Sequence, residues 1–286
     1  MMDYAEILLL SLSRKPQDEG YGADRSEWKL GSSLSLLERN YQDFGAMVAG
    51  KRVVDFGCGT GYQCVELVTK YDCTVVGIDS NRRTLEKATA QARAQGIPGS
   101  RLSFRDEVSA EMHGGFDVVV SQNSFEHFAD PSRILDVMRS LVNESGKVLI
   151  TFGPPWLAPF GSHMHFFCKV PWVNILFPEK TVMKVRSRYR NDGARRYEEV
   201  ESGLNRMTIA KFERIVESSD LNIEFVRYRC VKGADPLAKV PYLREFFINH
   251  ASVILSATAP AGREARSQRK RRGARRPRAR RGARIA

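Results

Sequence analysis

With 286 residues and 42% hydrophobic content, the chain can bury one sizeable core, and 45 Lys/Arg against 33 Asp/Glu give it a formal net charge of +12. Twelve of those basic residues and one Glu fall within 263–286, leaving 33 basic against 32 acidic elsewhere, so no electrostatic argument for a polyanion partner attaches to the rest of the chain. The five cysteines form no C-x-x-C pair and no zinc-site or disulfide spacing, and the longest apolar run near the start, residues 7–12, is far short of a bilayer span and follows Asp3 and Glu6 in place of a basic region; no metal site, membrane span or secretory signal is expected, and a cytoplasmic protein with reduced thiols is.

In chain order, residues 1–50 read as an N-terminal helical cap, with helical stretches at 4–14 and 33–48 around a Gly/Asp/Lys-rich loop at 16–31. At Lys51 the rhythm changes. Short β-rich runs at 52–56, 74–79, 101–105, 116–121 and 147–152 alternate with helical patterns at 63–70, 82–95 and 131–142. Such alternation predicts an α/β domain with a doubly wound, mostly parallel sheet and helices on both faces. After Gly153 it breaks into a stretch rich in Pro, aromatics and His. A further helix is predicted at 208–219 and strands at 222–231 and 251–258, which brings the sheet to seven strands. The stretch at about 154–205 is expected to be a lid after the fifth strand, because connections this long are usually functional or disordered and its aromatics argue against disorder. The organisation expected is therefore a cap (1–50), a catalytic domain carrying a lid (51–260) and a disordered Arg-rich tail (261–286).

The most informative stretch is Val53-Val54-Asp55-Phe56-Gly57-Cys58-Gly59-Thr60-Gly61-Tyr62, an apolar strand entering a glycine-rich turn and then a helix. Such glycines let a backbone approach a ligand closely, and a helix N-terminus offers free N–H groups. The next strand ends in Gly77-Ile78-Asp79, placing a carboxylate 22 residues after Gly57, where a ribose diol would be held. The glycine spacing is G-x-G-x-G, whereas a dinucleotide fingerprint is G-x-G-x-x-G.

From Arg52 to Phe152 these features resemble the class I S-adenosylmethionine-dependent methyltransferases, specifically their broad small-molecule branch with its Rossmann-like sheet. The resemblance implies S-adenosyl-L-methionine as cofactor, with Asp55, Gly57, Gly59 and Gly61 lining its methionine and sugar portions and Asp79 binding the ribose hydroxyls. Leu102-Ser103-Phe104-Arg105-Asp106 is similar to the family's third strand, making Asp106 the adenine candidate and Glu107 the alternate. Phe116-Asp117-Val118-Val119-Val120-Ser121 with the following Glu126-His127 pair resembles the fourth strand, and Ser145-Gly146-Lys147-Val148-Leu149-Ile150 the turn into the fifth. Asn123 is a candidate contact to the methionine end. Ser121-Gln122-Asn123 departs from the Asn/Asp-Pro-Pro-Tyr/Phe motif of many nitrogen methylases.

Methyl transfer from a sulfonium is an in-line displacement in which the protein mostly orients, and an oxygen acceptor usually needs a base as well. His163 and His165 follow the fifth strand, beyond the carboxyl ends where ligands sit in such sheets, and are the catalytic candidates. The alternative is a pair wedged among aromatics and satisfied by backbone. The expected activity is O-methylation of a small molecule or glycan precursor. The six Arg/Lys within 184–196 could serve an anionic acceptor or form a solvated face. Nucleic acid is a conceivable partner only through the tail, whose composition also fits an inert extension or an out-of-frame end; a cofactor-binding protein without turnover is the non-enzyme alternative.

Overall fold

The structure is a computed structural model describing residues 3–14, 33–200 and 203–257. The predicted loop at 16–31 and the Arg-rich tail lie outside those residues, as does Thr258 of the last predicted strand. The chain opens with α1 (Tyr4–Ser11), followed by α2 (Ser35–Asn40) and α3 (Phe44–Val48) where the sequence predicts one continuous helix at 33–48. The break is at Asp43, held in the left-handed region at φ 59°. It allows Tyr41 to insert into the sheet face, where its hydroxyl donates to the carbonyls of Ile150 (2.8 Å) and Val253 (3.2 Å).

The alternating part follows as predicted: β1 (Arg52–Phe56), α4 (Tyr62–Tyr71), β2 (Thr74–Ile78), α5 (Arg82–Ala94), β3 (Leu102–Arg105), β4 (Phe116–Gln122), α6 (Pro131–Leu141) and β5 (Val142–Phe152). Local chemistry sets the helix starts. Asn81 Oδ1 accepts from the N–H groups of Arg83 and Thr84, and Asp130 Oδ1 from that of Arg133 with Pro131 at the first position. Beyond β5 come α7 (Val173–Leu176), α8 (Glu179–Arg186), α9 (Ile209–Ser218), β6 (Leu221–Cys230), α10 (Arg244–Phe247) and β7 (Ile248–Ala257). The seven strands order as β3-β2-β1-β4-β5-β7-β6, with β1 to β5 parallel and β7 antiparallel to both neighbours.

Both faces of this sheet are covered, which is why its strands read as apolar runs and not as clean alternation. One face buries Val54, Val119, Ile150 and Val253 against Leu135 and Met138 of α6 and Phe212 of α9. The other buries Val53, Val120, Leu149 and Ile254 against Leu37, Phe44, Cys64 and Leu67 of α2, α3 and α4. Residues 154–200 and 203–204 bury a third core, in which Leu9 of α1 joins Met164, Phe167, Val182, Met183 and Tyr197. The N-terminal helices therefore separate: α2 and α3 pack on the sheet and α1 on the third core.

Candidate active site

The strand order reverses between β1 and β4, opening a crevice beyond their carboxyl ends where an α/β sheet binds its ligand. The glycine loop lines one side, and its three glycines have different reasons to be glycine. All hold positive φ, at 82°, 51° and 77° for Gly57, Gly59 and Gly61. A Cβ on Gly57 would strike the Ser124 hydroxyl at 2.6 Å, and one on Gly61 would strike Ala88 Cβ at 2.8 Å and the Phe104 ring at 2.9 Å. At Gly59 nothing stands within 4 Å. Two of the glycines thus admit the protein's own side chains, and only Gly59 faces open space. No side chain caps α4, whose N-terminus follows directly.

Asp55, Asp79 and Asp106 are arranged very differently. Asp55 is buried at the end of β1, accepting from Gln63 Nε2 at 2.8 Å and Cys64 Sγ at 3.1 Å. Burial pushes its carboxyl up to about 7; the Cys64 hydrogen bond opposes this, the nearby Asp79 charge adds to it, and the Gln63 amide opposes it. Asp79 accepts from the Gly59 N–H at 2.8 Å and the Asn81 N–H at 2.9 Å, so its carboxylate is aimed by backbone against the open side of the loop. Asp106 is exposed and pairs with Arg82 Nε at 2.7 Å, and Glu107 is also exposed. A surface pair of this kind contributes roughly 0–1 kcal/mol, so it is no obstacle to a ligand.

Residues after β4 form the other wall. The Ser124 hydroxyl donates to the carbonyls of Gly57 (3.3 Å) or Gln122 (3.1 Å) and so ties the two sides of the crevice together, a role no local sequence signal marks. Asn123, in the left-handed region at φ 50°, accepts on Oδ1 from the Thr151 hydroxyl at 3.3 Å and faces His250 Nε2 at 3.3 Å. The Glu126-His127 pair bonds to both ends of the segment that follows β5. Buried Glu126 accepts from the Gly153 N–H at 3.0 Å, and His127 Nδ1 lies 2.7 Å from the Gly203 carbonyl. Because that partner can only accept, Nδ1 carries the proton.

The two catalytic candidates have different surroundings. His163 packs edge-on against His127 at 5.4 Å between ring centroids, whereas His165 is exposed, with its ring 6.2 Å from that of Phe160. Three of the six cations in the basic stretch at 184–196 are in ion pairs: Lys184 with Glu6 at 2.5 Å, buried Arg186 with Asp192 at 2.5 Å, and Arg196 with Glu198. The Arg186 guanidinium holds the Asp192 carboxyl down at about 2. His250 is the site residue that sequence reasoning missed. It sits at the start of β7, one residue before the Phe152–Ala251 pairing, at the carboxyl edge of the parallel strands.

Residues 48–156 match the family model of a methyltransferase domain. This segment is similar to the methyltransferase domains that model describes. Over 127 residues, 44% of this chain and 54% of the relative, the sequence is 31% identical to a ubiquinone biosynthesis O-methyltransferase of Chromobacterium violaceum, so the chain spans about half the length of the relatives it matches. Among solved structures, the fold is similar to a geranyl diphosphate C-methyltransferase from Streptomyces coelicolor A3(2), at 13% identity and TM-score 0.53 over 78% of this chain and 76% of that one. It is equally similar to the [4+2]-cyclase SpnF, at 12% identity and TM-score 0.53 over 90% and 94%. The matched segment ends at residue 156, four residues past the end of β5. No helix among the described residues is long and apolar enough to cross a membrane, and no group of three or more potential metal ligands occurs among them.

Proposed function

We propose that the chain transfers the methyl group of S-adenosylmethionine to an oxygen of a small molecule or glycan precursor. The observation that carries this reading is the Gly59–Asp79 cradle: the one loop glycine with open space on its Cβ side, and a carboxylate fixed beside it by that glycine's own N–H. Asp79 is the candidate for the ribose hydroxyls. Asp55, buried and close to neutral pH in its titration, is the group beneath the cofactor's cationic methionine end, and Asn123 with its oxygen already engaged offers amide donors to the carboxylate of that end. Asp106 and Glu107 at the end of β3 are the adenine candidates. When bound, the cofactor supplies a methyl on a sulfonium; the protein orients and removes a proton. His163 is the candidate base, placed edge-on against His127, and His165 is assigned to acceptor contact at the lid surface.

The name of the Chromobacterium violaceum relative supports an oxygen acceptor. The similarity to a cyclase shows why turnover must be measured, since a fold alone does not specify the reaction. Calorimetry should find S-adenosylmethionine binding and no NAD binding, and Asp79→Ala should weaken the former at least roughly tenfold, the scale of a lost charge-assisted contact. His163→Ala should lower turnover on extracts supplied with methyl-labelled cofactor while leaving cofactor affinity unchanged. Label recovered chiefly in RNA or protein, or binding of NAD in place of S-adenosylmethionine, would overturn the assignment.

A further inference from the structure

The carboxyl edge of β4, β5, β7 and β6 carries a polar row on one sheet face, and its outermost member is a cation without an acid. Arg229 on β6 pairs in register with His250 on β7, so the two side chains share a face. His250 Nε2 reaches Asn123 Oδ1 at 3.3 Å, Asn123 Oδ1 accepts from Thr151, and Ser252 Oγ lies 3.4 Å from His250 Nδ1. Since Asn123 Oδ1 only accepts, Nε2 carries the histidine proton and Nδ1 receives the Ser252 hydroxyl. Asn123 Oδ1 and both ring nitrogens of His250 are thereby each met by a neighbour.

Arg229 differs from the other arginines described above. It is partly buried, its Nε is buried with no hydrogen-bond partner, and among the described residues no carboxylate pairs with it. Arg186, Arg206 and Arg244 each have an Asp or Glu. A buried guanidinium nitrogen left unmatched costs free energy that a ligand can recover, and the planar fork of arginine suits a carboxylate. His250 adds no second positive charge, because burial and the Arg229 charge push its pKa down to about 4. One cation beside neutral donors matches a single negative charge, and a dianionic phosphate ester would need more.

We propose that Arg229, with His250 in register beside it, binds a carboxylate on the methyl acceptor. Arg229 lies on β6, three strands from β4, which at a spacing of about 4.8 Å is roughly 14 Å. That is too far for the cofactor cradled at β1 and β4 and suits the far end of an acceptor laid across β5 and β7. This inference rests on the methyltransferase reading for the word acceptor, but the anion site is testable without it.

The experiment titrates the full chain, loaded with S-adenosylhomocysteine, with 3,4-dihydroxybenzoate and with catechol, which lacks the carboxylate. The expected result is that the wild type prefers the carboxylate-bearing probe at least roughly tenfold, that Arg229→Gln abolishes the preference, and that Arg229→Lys keeps part of it, as charged hydrogen bonds of this strength imply. Melting curves of all three proteins check that they fold, and retention by Arg229→Lys separates charge from packing. Equal affinity for the two probes in the wild type, no binding of either at millimolar concentration, or an unchanged preference in Arg229→Gln overturns the proposal. A fall in S-adenosylhomocysteine affinity in Arg229→Gln also overturns it, by assigning the arginine to the cofactor's own carboxylate. If the wild type binds no S-adenosylhomocysteine, the methyltransferase reading fails, and the same probe preference measured on the unloaded chain still decides the anion site.

Discussion

Gly59→Ala is expected to fold nearly as well as the wild type and to lose at least roughly 99% of its affinity for S-adenosylhomocysteine, about 2.7 kcal/mol at 1.4 kcal/mol per decade. The new methyl meets nothing within 4 Å in the protein. Its only cost there is the left-handed backbone at φ 51°, about 1–2 kcal/mol for a residue with a Cβ. The same methyl occupies the space that the proposed cofactor needs. Gly61→Ala should behave in the opposite way. At φ 77° its Cβ would press on Ala88 at 2.8 Å and on Phe104 at 2.9 Å, so overpacking of about 1–3 kcal/mol adds to the backbone strain and the melting temperature should fall by several degrees. Calorimetry and thermal melting on the two variants separate the roles. Wild-type binding by Gly59→Ala would place the open side of the loop outside the ligand.

Those different roles were not legible in the sequence, which shows three equivalent glycines in G-x-G-x-G. Gly57 and Gly61 are glycines because Ser124, Ala88 and Phe104 arrive from 67, 27 and 43 residues away. What was legible is whatever follows from local pattern. The alternation of strand and helix from Lys51 to Phe152 predicts the parallel sheet, and the helices predicted from 82, 131 and 208 begin at Arg82, Pro131 and Ile209. The seven-stranded sheet is observed. The break at Asp43 was missed because Tyr41 is drawn into the sheet by carbonyls of β5 and β7, a tertiary cause absent from the local sequence.

The acceptor side fails in the same instructive way. Within the lid, His163 and His165 look alike in sequence, two residues apart among aromatics, yet one meets His127 and the other solvent. The run of basic residues at 184–196 reads as a solvated face or an anion site, and Glu6, Asp192 and Glu198 pair with three of its six cations. Arg229, which pairs with no acid among the described residues, lies on a strand whose pattern reads as ordinary β structure. Its significance appears only when β6 and β7 are paired and His250 is brought against Asn123, 127 residues away.

Asp55 and His250 make opposing contributions to stability between about pH 4 and 6.5, and removing either should expose the other. Burial raises the folded-state pKa of Asp55 to about 7 from 3.8. Across that interval the folded chain keeps a proton that the unfolded chain has released, so this group's contribution is fully present below 3.8 and is lost as pH rises through about 7. His250 runs the other way: burial and Arg229 lower its folded-state pKa to about 4 from 6.5, so the unfolded chain holds the extra proton. Its contribution is present above 6.5 and lost as pH falls through about 4. Each slope is about 1.4 kcal/mol per pH unit, so the pair nearly cancels in the wild type. Relative to the wild type, Asp55→Asn should therefore gain stability as pH rises from about 4.5 to 6.5, by up to about 3 kcal/mol, and His250→Gln should lose it over the same range. Buried Glu126, whose carboxyl is also raised by burial, is common to all three proteins and drops out of the differences. Urea unfolding at pH 4.5, 5.5 and 6.5 and constant ionic strength measures both slopes. If the two differences share a sign, or neither varies with pH, the burial of these two groups does not govern their titration.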